Sequence, residues 1–408
     1  MNTPATSIII VSRERPKALA RCLLGVSQLN HPDFEVIVVA DVAGLDVVAD
    51  LPFSAQIKTA FFDEANISQA RNLGLAMAAG EIVAFIDDDA VPEPSWLMRL
   101  TEPFGDPNVA AAGGYVRGRN GISFQWRASS VDTAGRTRPL RVPSRNPMVF
   151  SPPECQAVKT EGTNCAFRRD ILMKMGGFDP VFAFYLDETD VNMRLAIAGR
   201  STAIVPLAQV HHGYLPSKRR NSERVPKSLF DIGRSIALFH RKYADQVDAQ
   251  MAWRVERIEQ RKRLLRFMQS GALEPSDVLG LMRSLVAGHQ SGSNAKLISL
   301  PELPINGAVF EKFTQAPYKH HVLSGRIWQR KRLRKQAKIL VSGKNRVTLV
   351  VLSPTSLFHR IIFTEDGFWE QNGGIFGKSN RNQPYFQIYG FRSRVRDEVA
   401  RSNQFRAF

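Results

Sequence analysis

The chain lacks any apolar run approaching the roughly 20 residues that a membrane-spanning helix requires. Its N-terminus has no basic segment followed by an uninterrupted apolar stretch, so no secretory signal is expected. Ser7-Ile8-Ile9-Ile10-Val11 is too short and runs into Ser12-Arg13-Glu14-Arg15. Cysteine is scarce as well. Cys22, Cys155 and Cys165 are odd in number and lack zinc-finger spacing. This argues against a disulfide framework and points to a reducing, cytoplasmic compartment. Acids are outnumbered: 38 Asp and Glu against 55 Lys and Arg leave a formal charge of +17. That balance attracts polyanions such as nucleic acid, an anionic membrane surface or phosphorylated substrates. No zinc module, RNA-recognition signature or helix–turn–helix pattern accompanies the charge, so nucleic acid is not the expected partner. No internal repeat or low-complexity tract is evident.

What is present begins with Asp87-Asp88-Asp89, directly after the apolar run Ile82-Val83-Ala84-Phe85-Ile86. A β-branched, uncharged run of that length reads as a strand buried on both faces. Carboxylates crowded at its end repel one another unless a cation lies between them. In extended chain Asp87 and Asp89 share a face and Asp88 points the other way. Two hard oxygen ligands on one face suit a divalent cation. The end of a strand is also where open α/β sheets bind ligands.

The surrounding pattern alternates strand and helix. Strands are expected at Ser7–Val11 and Glu35–Asp41, and helices at Pro16–Leu29 and Ser68–Ala79, the last closed by Gly80. This order predicts parallel strands with right-handed crossovers and helices on both faces of the sheet. Residues 108–153 read as mixed strands and loops. Asp170–Met175 and Thr189–Ala198 read as helices and Ser201–Pro206 as a strand, with His211-His212-Gly213 beyond it. After Pro226 helices are expected at Ser228–Tyr243 and onward to Arg266. Ser291-Gly292-Ser293 and Pro301–Pro304 read as linker or loop, Gly325–Leu340 as a basic helix, and Arg346–Leu352 and His359–Phe363 as strands.

Further residues carry chemical potential. Asp41 at a strand end can accept hydrogen bonds from a base or ribose, or cap a helix. Arg71, early in a helix, suits a nearby anion, because guanidinium forks match phosphate. Phe182-Ala183-Phe184-Tyr185 leads into Asp187-Glu188-Thr189-Asp190 at a helix start. There the exposed N–H groups favour ionised carboxylates, as a general base requires. His211 and His212 are candidates for a third metal ligand or for structural hydrogen bonding.

Taken in order, these segments resemble the family 2 glycosyltransferases of the GT-A fold. The resemblance covers roughly residues 5–215. It rests on Ser7–Ser12, Ala70-Arg71-Asn72-Leu73-Gly74, Gly80–Asp89, Gly176-Gly177-Phe178-Asp179 and Asp187-Glu188-Thr189-Asp190. It implies a GT-A-like, Rossmann-related three-layer α/β sandwich over 1–225. A helical extension at 226–300 and a basic helix with a small β-containing module at 301–408 would follow. It implies a hexosyltransferase-like, inverting enzyme that moves a sugar from a UDP, GDP or dTDP donor to a hydroxyl of a glycan or lipid-linked acceptor in cell-surface polysaccharide synthesis. Asp41, Arg71, Asp87 and Asp88 would contact the nucleotide. Asp89, with His211 or His212, would ligate Mg2+ or Mn2+. Glu188 aligns with the family's base and Asp187 with its neighbour; the order of the two carboxyls is reversed here, and Glu188 is the preferred base. Gly162, Thr163, Asn164 and Tyr185 are expected acceptor contacts. After the first strand the chain reads Ser12-Arg13-Glu14 where the family has Pro-Thr-Tyr-Asn, so nucleotide contacts there differ.

Two basic clusters remain, Lys218-Arg219-Arg220 with Arg224 and Lys227, and Arg330–Lys338. With the resemblance, the second suggests peripheral attachment to anionic lipid at the inner face of the plasma membrane. Competing readings are a basic nucleic-acid-binding protein and a non-catalytic carbohydrate-binding or scaffold protein. The retained acids Asp87, Asp89 and Glu188 argue against loss of catalysis.

Overall fold

The structure, a computed structural model, describes residues 3–152, 154–213, 219–221, 223–304, 307–314 and 318–406. Lys218, part of the first basic cluster, lies outside them. The chain opens with β1 (Thr6–Ser12), α1 (Pro16–Val26), β2 (Phe34–Ala40), α2 (Val42–Ala49), β3 (Ile57–Phe61), α3 (Ile67–Met77) and β4 (Ile82–Ile86). Next come β5 (Ala90–Pro92), α4 (Trp96–Thr101), β6 (Val109–Arg117), β7 (Phe124–Trp126), β8 (Ser129–Asp132), β9 (Thr137–Pro139) and β10 (Met148–Phe150). The region closes with β11 (Gln156–Lys159), β12 (Asn164–Arg168), α5 (Arg169–Lys174), α6 (Asp187–Ile197) and β13 (Ser201–His212).

The main sheet runs β10-β13-β6-β12-β4-β1-β2-β3, with β5 on β13 and β7 on β6. β1 to β4 are parallel, as the strand–helix alternation predicts. The parallel rule then fails. β12 enters between β4 and β6 antiparallel to both, because the chain returns to that slot from the long excursion after β6. The three-layer arrangement follows from side-chain alternation. Ile8, Ile10, Val36, Val38, Ala84 and Ile86 join one apolar cluster with Leu19, Leu23 and Val26 of α1. Ile9, Ile37, Val83 and Phe85 join a second cluster with Leu75 of α3, Leu172 of α5 and Val191 of α6. Each such fully buried aliphatic or aromatic side chain stabilises the fold by about 1.5–3 kcal/mol. β4 is therefore fixed from both sides, and so is the turn of aspartates at its end.

The helical part is α7 (Phe230–Tyr243), α8 (Gln246–Gln269) and α9 (Pro275–Asn294). Ser291-Gly292-Ser293 is not a linker but the last turn of α9. Its glycine is a packing device. A Cβ at Gly288 would lie 1.9 Å from the Phe230 carbonyl oxygen, and one at Gly292 would lie 2.3 Å from that of Arg234. Gly233 on α7 is equally tight against the Leu285 carbonyl. Residues 300–304 and 307–313 pack back against the first part of the chain, where Phe313 stacks on Phe34 with ring centres 5.3 Å apart.

The last part holds β14 (His320–Arg326), α10 (Arg330–Ser342), β15 (Arg346–Ser353), β16 (Arg360–Phe363), β17 (Trp369–Gly374) and α11 (Phe391–Arg406). Its sheet runs β14-β15-β17-β16 and is covered by α10 and α11. The basic helix thus starts at Arg330. Gly325 and Arg326 belong instead to β14, whose Gly325 lets Leu333 and Gln329 approach closely. The charge of α10 is partly neutralised within the molecule. Arg330 and Arg334 pair with the buried Glu370, and Lys338 pairs with Asp366. Among the described residues no helix is long and apolar enough to cross a membrane.

Candidate active site

Beyond Ile86 the strand breaks into a tight turn, the Ala90 amide donating to the Asp87 carbonyl at 3.0 Å. The turn sorts the three carboxylates by direction. Asp88 is fully buried; it accepts from the Ser12 hydroxyl at 2.7 Å and pairs with Arg15 at 2.6 Å. Burial pushes its carboxyl up to about 7, with Arg15 opposing. Asp89 also reaches Arg15, at 3.3 Å, but with Asp87 it joins a second group. There a carboxylate oxygen from each and a ring nitrogen of His212 all lie within 4.8 Å of one another.

His212 reaches this place because β13 continues beyond Pro206. A register irregularity between Val205 and Gln209 absorbs the proline, and the strand ends by pairing His212 with Ala90 of β5. The His212 ring is oriented: Nδ1 lies 3.0 Å from the Gln125 side-chain oxygen, Trp126 stacks on the ring, and Nε2 is 3.1 Å from Asp89. With Nδ1 engaged by Gln125, Nε2 is the ring nitrogen presented to the carboxylates, an arrangement common among metal-binding histidines. The donor set, two hard oxygens and an imidazole nitrogen, suits Mg2+ or Mn2+. His211 is not part of it. As the next residue in a strand it faces the opposite side, 2.9 Å from Glu93.

The acid box lies across the cleft. Tyr185 and Leu186 both take left-handed backbone angles (φ 70° and 66°), uncommon for side chains of their size. This sharp entry starts α6 at Asp187, two residues earlier than the sequence suggests. The four acidic and polar residues then divide their work. Asp190 is buried under Lys242, Tyr243 and Arg194 and ties α6 to α7. Asp187 is buried and paired with Arg71; burial pushes its carboxyl up to about 7, with Arg71 opposing. Glu188 stays partly exposed and accepts a 3.2 Å bond from Thr189.

Arg71 connects the two acid groups. Its guanidinium bonds Asp187, lies 3.5 Å from Asp87, donates to the Gly162 carbonyl at 3.3 Å and covers the Phe178 ring at 5.1 Å. Gly162 is needed for this approach, since a Cβ there would lie 2.5 Å from Arg71. Withdrawing such a buried cation would leave two acids unpaired, a loss of about 3–5 kcal/mol. Thr163 donates to Asp87 and so also belongs to the cleft wall. Asn164 does not. It is fully buried, bonded to Trp96, Tyr115 and Ala208, and pins β12 in place. Tyr185 is 40% exposed at the lip. Asp41 caps α2, accepting from the Gly44 and Glu14 amides at 2.9 and 2.6 Å.

Several residues of the site carry no signal in the linear sequence. Arg15 reaches both Asp88 and Asp89. Gln125 and Trp126 hold His212. Glu161 pairs with Lys159 at 2.9 Å; burial pushes its carboxyl up to about 7 against Lys159, and the nearby Glu188 and Asp87 add to the rise. Acids thus crowd around Arg71 on both sides, an arrangement that favours a bound cation.

Comparison with known proteins agrees with this geometry. Residues 7–176 match the family model described as glycosyl transferase family 2. An uncharacterized glycosyltransferase of Nostoc sp. is 30% identical over 187 residues, 43% of this chain and 54% of that protein. An O-antigen biosynthesis protein of Myxococcus xanthus is 24% identical over 251 residues, 55% of this chain and 18% of that protein. The chain therefore spans about half, or less, of the length of these relatives. A solved mannosyltransferase from Pyrobaculum calidifontis, in complex with GDP-Man and Mn2+, is similar at 16% identity with a TM-score of 0.44, over 72% of this chain and 88% of that one. Residues 7–176, with their strand–helix order and aspartate turn, thus match the family 2 glycosyltransferases, and the acid box at 187–190 follows just beyond the matched span.

Proposed function

We propose that the chain transfers a sugar from a nucleoside diphosphate donor to a hydroxyl of a glycan or lipid-linked acceptor, with inversion, during surface-polysaccharide assembly. The observation that carries this reading is the convergence of Asp87, Asp89 and His212 opposite the partly exposed Glu188, with Arg71 bridging Asp87 to Asp187. Asp87, Asp89 and His212 would hold Mg2+ or Mn2+, and a cation there neutralises charge on the departing diphosphate. Glu188 takes the proton of the acceptor hydroxyl as that oxygen bonds to the anomeric carbon. The bond from that carbon to the diphosphate breaks on the opposite side, and the electron pair leaves with the nucleotide. Arg71 and Thr163 hold Asp87, and Arg15 holds Asp88 and Asp89, so the carboxylates are set before substrate arrives. Tyr185 at the lip offers a ring face to the acceptor sugar. The role in polysaccharide assembly is supported by the description of the Myxococcus xanthus relative. A panel of UDP-, GDP- and dTDP-sugars, assayed by nucleotide release with Mn2+, is expected to give one preferred donor whose turnover stops on chelation. Release that is equal with and without EDTA would remove the cation from the reading.

The acceptor side is proposed to meet a membrane through α10. Trp328, in the turn just before α10, and Lys331, Arg332, Lys335 and Ile339 on it are exposed, with Trp328 70% and Ile339 66% accessible. An aromatic and an aliphatic side chain beside free cations suit the headgroup region of anionic lipid. Flotation with vesicles containing phosphatidylserine is expected to carry the chain upward, and Lys331→Glu with Lys335→Glu to abolish this. Equal flotation with neutral vesicles would refute the charge component.

A further inference from the structure

We propose that Arg406 and Trp369, from the last part of the chain, position the proposed cation ligands Asp89 and His212. The inference rests on the cation reading above. The two ligands lie on one short ladder: β5 follows Asp89 directly and pairs antiparallel with the end of β13, His212 opposite Ala90 and His211 opposite Val91. The Gly213 amide donates to the Asp89 carbonyl at 2.8 Å, and the Glu93 amide to that of Gln209 at 3.0 Å. A three-residue strand makes few ladder bonds of its own, so its position depends on what packs on it: α1, through Leu24 and Gly25, and the C-terminal module.

The C-terminal module packs on the face of the ladder turned away from the cleft. His211, pointing away from the cleft, bonds Glu93 at 2.9 Å and packs on Trp369 with ring centres 4.6 Å apart. Glu93 is 2% exposed and takes both arms of Arg406, at 2.8 and 3.0 Å. Arg406 lies over the Trp369 ring at 4.3 Å and donates to Thr348 of β15 at 3.2 Å. The Ser95 amide donates to the Phe405 carbonyl at 3.0 Å, joining α11 to the segment after β5. Two-armed guanidinium–carboxylate pairing fixes direction as well as distance. A shift of Glu93 or His211 moves the backbone that carries Asp89 and His212, so the module is an outer layer of the cation site. Binding linkage then runs both ways: cation binding at the cleft must tighten the docking of α11.

The test uses the full chain and free-Mn2+ electron paramagnetic resonance titrations. Glu93→Gln with Arg406→Met removes both buried charges while keeping volume. It is expected to weaken Mn2+ about 10–100-fold, as loss of groups behind metal ligands commonly does. Near-UV circular dichroism checks folding, and Trp369→Leu, which keeps the ion pair, provides a second variant with the same direction of effect. Glu370→Gln, in the same module but facing Arg330 and Arg334, is expected to leave Mn2+ affinity unchanged. In the unaltered chain, Mn2+ is expected to slow amide exchange in α11, a response that a purely structural contact would not give. Mn2+ affinity within twofold of the unaltered chain in folded variants overturns the positioning role and leaves the cation site standing. An unaltered chain that binds no Mn2+ overturns the cation reading itself, and this inference with it.

Discussion

Glu188→Gln is expected to leave a folded chain that still binds its donor but transfers sugar at least about a thousandfold more slowly, within the range that loss of a general base produces. The argument is one of elimination within a single helical turn. Asp190 is buried under Lys242 and Tyr243, and Asp187 is buried against Arg71. Glu188 alone of the three is partly exposed, in the first turn of α6. Glutamine keeps its size and removes only the proton acceptor. The contrasting change, Asp187→Asn, acts on the scaffold: it breaks a buried pair with Arg71 and costs about 3 kcal/mol or more of stability. Nucleotide release and thermal unfolding, measured on both variants, separate the roles. Substantial transfer by Glu188→Gln would hand the base to Asp187.

The second large effect is expected at the aspartate turn. Asp89→Asn removes a charged oxygen ligand and should reduce transfer about a thousandfold at any Mn2+ concentration, with the fold intact. The size is set by charge: a neutral amide cannot offset a divalent cation, and the departing diphosphate loses its counterion. Asp88→Asn, one residue earlier, should behave differently. Asp88 bonds Ser12 and Arg15 and is not one of the three clustered groups Asp87, Asp89 and His212, although Arg15 also reaches Asp89. Its loss should change stability and leave the Mn2+ requirement in place. Activity measured across an Mn2+ titration distinguishes the two. A normal Mn2+ response from Asp89→Asn would mean that the cation is held elsewhere.

These contrasts follow from features of unequal visibility in the sequence. The apolar run ending in three aspartates and the acid box at a helix start are local patterns; the strand is where periodicity puts it, and the helix starts two residues earlier, taking in Asp187 and Glu188. Asp88, expected to contact the nucleotide, is instead buried against Ser12 and Arg15, because the chain leaves extended geometry at that point. Asp41 offered two local readings, and its side chain is engaged in the helix cap. Other features were hidden by physics that a linear pattern does not carry. Pro206 reads as the end of a strand, yet a bulge absorbs it and delivers His212 to the cleft. Gly292 reads as a linker residue, yet it is the contact that lets α9 close on α7. α11 has little apolar periodicity and is held by tertiary contacts, among them the buried pair Arg394–Glu398. Glu93 and Arg406 are 313 residues apart, and Gln125 lies 87 from His212. Such pairs are made by topology alone.

The account stands most directly on one measurement: thermal unfolding of the full chain with UDP, GDP or dTDP, each with and without Mn2+. It predicts that one nucleoside diphosphate raises the midpoint by several degrees only when Mn2+ is present, and that Asp89→Asn loses the shift while Glu188→Gln keeps it. Stabilisation by nucleic acid with none by any nucleotide, or a shift indifferent to Mn2+ and to Asp89, would contradict it.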